Sequence, residues 1–123
     1  MPARVLVVDD DTATVELLQD FLVAKGYEVL TASDGAEALR KVKEERPHLL
    51  LLDIHMPKMD GLEVLRQLRA IDQEVSVIMV TGVNEEAIGR QAMQLGAFDY
   101  IVKPLGLPYL ERSLWYKLTM MTL

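Results

Sequence analysis

Short apolar runs recur along the chain at Val5-Leu6-Val7-Val8, Leu49-Leu50-Leu51-Leu52, Val77-Ile78-Met79-Val80 and Tyr100-Ile101-Val102. Each is too short for a buried helix and lacks polar alternation, the pattern of a parallel strand covered on both faces. Glu28-Val29-Leu30-Thr31-Ala32 is more polar and reads as a strand at a sheet edge. Between these runs the apolar positions change to helical spacing. Val15, Leu18 and Leu22 mark a first helix from Asp11 to Lys25, with Gly26 where a C-terminal cap belongs. Asp34 with Glu37, and Asp60 with Glu63, have the cap-then-carboxylate spacing that satisfies free amides at a helix start. Leu62, Leu65 and Leu68 stripe the third helix, and Ile88, Ala92 and Leu95 the fourth, which Gly96 ends. Leu107, Leu110, Leu114 and Leu118 stripe a fifth. Five βα units in succession predict an α/β fold built on a doubly wound parallel sheet.

At 123 residues with no linker or low-complexity stretch, the chain reads as one domain over residues 1–123. The absence of Cys excludes disulfides, thiolate metal sites and a Cys nucleophile. A net charge of -6 leaves no basic face of the kind nucleic acid requires, so none is expected to bind here. The longest strongly apolar runs are four residues, far short of a membrane span. The first of them meets three Asp rather than a secretory cleavage site. A cytoplasmic, membrane-free domain is the expectation.

Candidate chemistry collects where strands end. The first strand runs into Asp9-Asp10-Asp11, the third into Asp53, the fourth into Thr81 and the fifth into Lys103-Pro104. In open α/β sheets the ligand crevice lies beyond the carboxyl ends of the strands. Asp11 is explained as the N-cap of the next helix. Asp53 follows four Leu, where burial without partners is costly. Asp9, Asp10 and Asp53 repel one another and need a cation to coexist. Oxygen-only ligands favour a hard ion, Mg²⁺ where a phosphoryl group completes its shell. Asp53 then serves as a carboxylate nucleophile that forms an acyl phosphate. Lys103, the Thr81 hydroxyl and nearby backbone amides neutralise the phosphoryl oxygens.

The stretches Val5–Asp10, Leu51–Leu62 with its Met56-Pro57 and Asp60-Gly61 steps, Val80-Thr81-Gly82, and Gly96–Pro104 resemble the receiver domain of bacterial two-component response regulators. The resemblance covers nearly the whole chain and implies a flavodoxin-like (βα)5 sheet of order 2-1-3-4-5. It implies that Asp53 accepts a phosphoryl group from a phosphohistidine on a sensor histidine kinase or a histidine phosphotransfer protein. Asp9 and Asp10 match the Mg²⁺ pair, Asp10 as the direct ligand and Asp9 partly through water; the backbone carbonyl of His55 matches a further ligand. Thr81 and Lys103 match the phosphoryl contacts, Tyr100 the aromatic that reorients on activation, and Lys103-Pro104 a cis peptide bond. Two positions depart from the usual pattern. His55 occupies a variable position facing the phosphoryl group, and Gly106-Leu107-Pro108 replaces a frequent acidic cap of the last helix. His48, beside Pro47, is read as structural.

An enzyme alternative is a haloacid-dehalogenase-like phosphohydrolase, whose Asp-x-Asp-x-Thr signature Asp9-Asp10-Asp11-Thr12-Ala13 nearly matches. Ala13 breaks that match, and Asp53 is left unexplained. Neither G-x-G-x-x-G nor G-x-x-x-x-G-K-[ST] occurs, which disfavours a nucleotide site. The stretch from Leu114 to Leu123 is the remaining anomaly, with seven of ten residues Leu, Met, Trp or Tyr. Leu114, Leu118 and Met121 can share one helix face, but Trp115, Tyr116, Met120 and Leu123 cannot all join it. That leftover face is expected to contact an output module or a second copy of the chain.

Overall fold

The structure, a computed structural model, describes residues 2–82 and 85–121, the side chain of Met121 excepted. The expected parts for Met121 and Leu123 lie outside the described residues. The strands are β1 (Arg4–Val8), β2 (Glu28–Ala32), β3 (Leu49–Asp53), β4 (Ser76–Thr81) and β5 (Asp99–Val102). The helices are α1 (Thr12–Ala24), α2 (Gly35–Glu45), α3 (Gly61–Ile71), α4 (Glu86–Gln94) and α5 (Leu107–Met121). All strands pair in parallel, in the order β2-β1-β3-β4-β5, as expected.

Alternation along the strands divides the core into two layers. Leu6, Val8, Leu50, Leu52 and Met79 face α2, α3 and α4 through Ala38, Val64, Leu65, Leu68 and Ala92. Val5, Val7, Leu49, Leu51, Ile78 and Ile101 face α1 and α5 through Leu18, Leu22, Leu110 and Leu114. β2 and β5 form the two edges of the sheet, and both carry partly exposed residues; the edge position of β2 is the one its polarity predicted.

Helix ends follow the cap chemistry. The Asp11 carboxylate accepts from the Ala13 amide, Asp34 from Glu37 and Asp60 from Glu63. Glu37 completes the second box by accepting from the Ser33 amide, one residue ahead of the cap. Gly26 and Gly96 take positive φ values of 93° and 100° after α1 and α4, where a side chain would be strained. His48 is structural, its Nδ1 accepting from the Arg4 amide at 2.9 Å. On α5, Leu110, Leu114 and Leu118 are buried, while Trp115, Tyr116 and Met120 are exposed. Tyr116 stacks on Phe98 at 6.3 Å between ring centroids.

Gly61 positions the site most directly. Its amide donates to the Ile54 carbonyl at 2.8 Å, and a Cβ there would overlap the Asp53 carbonyl and lie 2.8 Å from Ile54 Cα. Only glycine lets α3 start this close to the end of β3. Gly61→Ala is therefore expected to lower unfolding free energy by roughly 2–4 kcal/mol, because backbone rather than a side chain must yield. Gly106→Ala, whose nearest neighbour would be Tyr109 Cβ at 4.0 Å, is expected to be neutral or slightly stabilising. Urea unfolding of the two variants measures the difference, and equal midpoints would contradict it.

Candidate functional site

Register brings the polar strand ends together. Val8 pairs with Leu52, Asp53 with Val80 and Thr81 with Val102, so Asp9, Asp53, Thr81 and Lys103 line one end of four adjacent strands. The Asp9 amide donates to the Ala32 carbonyl of β2, and the Lys103 amide donates to the Thr81 carbonyl at 2.8 Å. Asp10 stands beside Asp9 on the exposed side.

Asp9 and Asp53 are only 4% and 5% exposed, which makes their charges expensive unless compensated. One carboxylate oxygen each from Asp9, Asp10 and Asp53 lies within 4.8 Å of the others. The Lys103 ammonium sits between the two buried acids, 3.6 Å from Asp9 Oδ2 and 3.7 Å from Asp53 Oδ1. The Asp11 amide donates to Asp9 Oδ1 at 2.9 Å. Burial, and secondarily the Asp9 charge, push the Asp53 carboxyl from 3.8 up to about 6 against the pull of Lys103 and the His55 amide. An all-oxygen triad of crowded carboxylates with one ammonium is underneutralised, and this donor set suits a hard divalent cation. Thr81 adds a second unmet demand. Its Oγ1 is buried with no hydrogen-bond partner among the described residues, the state of a group whose acceptor or donor arrives with a ligand.

The loop after Asp53 is shaped tightly. The Met59 amide donates to the Pro57 carbonyl at 2.8 Å across Lys58, whose φ is 72°. A three-residue turn with positive φ at its centre is a strained form, of the sort that clusters at functional sites. The Lys103-Pro104 bond is cis, as the resemblance implied.

Residues 5–114 match the family model described as response regulator receiver domain. The chain belongs to that family. It is 46% identical over 104 residues to the alkaline phosphatase synthesis transcriptional regulatory protein PhoP of Bacillus subtilis, covering 85% of this chain and 43% of that protein. To the chemotaxis protein CheY of Bacillus subtilis it is 40% identical over 105 residues, covering 85% of this chain and 88% of CheY. It thus spans less than half of the first relative and most of the second. The crystal structure of the CheX-CheY-BeF3-Mg²⁺ complex from Borrelia burgdorferi superposes with a TM-score of 0.91 at 33% identity, covering 96% of this chain and 90% of that one. As a receiver domain of two-component systems the chain is a phosphoacceptor signalling module.

Every residue expected at the site of this receiver domain lies at the one sheet end except Tyr100, which β5 directs into the layer beneath α4. Its half-buried ring packs on Gly89, where a Cβ would fall 2.6–2.8 Å from ring carbons. The His55 side chain is exposed, and its Nε2 lies 2.5 Å from Glu85 Oε2. Glu85 Oε1 accepts from the Gly82 amide at 2.9 Å. Neither Glu85 nor Gly89 stands out in the sequence. Glu85 lies on a loop without periodicity, and Gly89 breaks an otherwise apolar stripe only by its size.

The Asp53 shift has a consequence for stability. A carboxyl raised from 3.8 to about 6 binds its proton more tightly when folded, so metal-free stability falls as pH climbs through that window. The penalty is complete above about pH 6 and absent below about pH 4. Asp53→Asn is expected to be more stable than wild type at neutral pH by about 1–2 kcal/mol after solvent screening, and equal at low pH. Thermal melts in chelator across pH test this; a pH-independent gap would contradict it.

Proposed function

We propose that Asp53 accepts the phosphoryl group. Its donor is a phosphohistidine on a sensor histidine kinase or a histidine phosphotransfer protein. An Asp53 oxygen bonds to phosphorus as the phosphorus–nitrogen bond breaks, and the imidazole leaves with that electron pair. Asp9, Asp10, Asp53 and the His55 backbone carbonyl would hold Mg²⁺, which supplies charge neutralisation to the phosphoryl oxygens. Lys103 contributes a fixed positive charge, and the Thr81 hydroxyl takes another oxygen. The carrying observation is the buried, underneutralised Asp53 beside Lys103 and a Thr81 hydroxyl with no hydrogen-bond partner among the described residues. The same constellation orients water for hydrolysis of the acyl phosphate.

On this reading residues 1–123 form one cytoplasmic receiver unit; among its described residues no helix is long and apolar enough to cross a membrane. The domain itself binds no nucleic acid. The exposed Trp115, Tyr116 and Met120 of α5 offer the contact for a second copy or an attached output module.

Acetyl phosphate with Mg²⁺ is expected to add one phosphoryl group to Asp53 and release acetate. Intact-mass spectrometry should show the adduct in wild type and none in Asp53→Asn. Labelling that persists in Asp53→Asn, or rapid turnover of a generic phosphomonoester, would instead favour phosphohydrolase chemistry. Lys103→Ala is expected to slow the transfer by about 2.7–4 kcal/mol, the scale of one lost transition-state donor, and more than Asp9→Asn does.

Phosphorylation is proposed to draw the Thr81 hydroxyl inward and free space for the Tyr100 ring to leave its seat on Gly89. Beryllofluoride should then shift NMR signals of Tyr100 and α4 in wild type but not in Thr81→Ala. Shifts confined to Asp9, Asp10 and Asp53 in wild type would refute the switch.

A further inference from the structure

Glu85 is the residue just ahead of α4, yet its side chain makes no cap hydrogen bond to that helix. A carboxylate at a helix start ordinarily accepts from the helix's own first amides. Here it is spent elsewhere. Oε1 accepts from the Gly82 amide at 2.9 Å, and Oε2 meets His55 Nε2 at 2.5 Å. Gly82 is the residue after Thr81, and His55 is two residues past Asp53. One carboxylate therefore clasps the loop after β3 to the loop after β4, across the mouth of the phosphoacceptor site. The Glu85 side chain is 22% exposed, so its charge is felt within the site more than a free surface carboxylate's would be.

Both groups that Glu85 holds are hydrogen-bonding groups beside the position a phosphoryl group on Asp53 would take. A phosphoryl dianion and the Glu85 carboxylate are like charges with the same acceptor chemistry, and the site already carries Asp9, Asp10 and Asp53. They cannot share one backbone amide at full strength. We propose that Glu85 is an internal competitor of the phosphoryl group, holding the Gly82 amide and the His55 ring in the unphosphorylated domain and surrendering them on phosphorylation. The proposal rests on the phosphoacceptor reading of Asp53. Glu85 is thus a positioning residue that tunes the affinity of the site for its anion, and its release is transmitted to the first turn of α4.

Gly82 is matched to this role. A Cβ at Gly82 would overlap Glu85 Oε1, the mobile tip of a side chain, so Gly82→Ala unseats the carboxylate without removing it. A strut and a competitor differ in sign. Loss of a strut loosens the site and weakens anion binding, whereas loss of a competitor strengthens it.

The test titrates the domain with beryllofluoride in Mg²⁺ by calorimetry and follows the Gly82 amide and the His55 ring by NMR in metal-free protein. Glu85→Gln, Glu85→Ala and Gly82→Ala are expected to bind beryllofluoride about fivefold more tightly than wild type, with Glu85→Ala at least equal to Glu85→Gln. In metal-free protein the Glu85 variants should move the Gly82 amide and His55 ring signals, and beryllofluoride added together with Mg²⁺ should move them the same way in wild type relative to Mg²⁺ alone. Unchanged or weaker affinity in all the variants overturns the competitor. Gly82 and His55 signals indifferent to Glu85→Ala overturn the clasp itself. Failure of wild type to form the Asp53 adduct overturns the phosphoacceptor reading instead, an outcome separable because the metal-free NMR comparison needs no phosphoryl ligand.

Discussion

Two carboxylates, Asp9 and Asp53, are buried side by side at the ends of adjacent strands. Burial and the neighbouring Asp9 charge both work against ionisation of Asp53, and the Lys103 ammonium between the two acids offsets only part of that cost. The balance leaves Asp53 near neutrality in its proton affinity, with a carboxyl at about 6. Such a group is costly to the fold and useful to the site, because an added cation relieves the repulsion. The neighbouring Thr81 hydroxyl is buried with no hydrogen-bond partner among the described residues, so the site presents an excess of negative charge and a free hydroxyl side by side.

The apolar sheet makes that arrangement sustainable. Leu49–Leu52 and Val5–Val8 are covered on both faces, and their register leaves no freedom in where Asp53 and Asp9 emerge. Gly61 lets α3 close down on the end of β3, and the Asp60 cap starts that helix. The strained turn at Lys58 lies between them. Around these strand ends the Tyr100 ring rests on Gly89, and Glu85 joins two loops.

Much of this was legible from residue order alone. Unalternating apolar runs named the buried strands, helical spacing named the helices, and cap residues named their starts, because these depend on local sterics and on which faces must be dry. The strand-end Asp, Thr and Lys were legible as a candidate site for the same reason. The edge position of β2 followed from its polarity, and the excess apolar side chains of α5 followed from geometry on a helix. The order 2-1-3-4-5 did not follow from any pattern within the chain, since parallel strands of similar composition can be arranged in several ways, and it came from family resemblance.

Tertiary structure alone decided the pairwise facts. Nothing in the sequence places Glu85 against His55, thirty residues away, or uses its carboxylate for the Gly82 amide rather than for α4. Nor does it show that Gly89 is small because the Tyr100 ring lies on it, or that Lys103 divides its charge between two acids. Periodicity reports whether a residue faces core or water, because burial acts on each residue singly. The partner a polar group finds depends on distances between segments remote in the chain, and those exist only once the sheet has set its register.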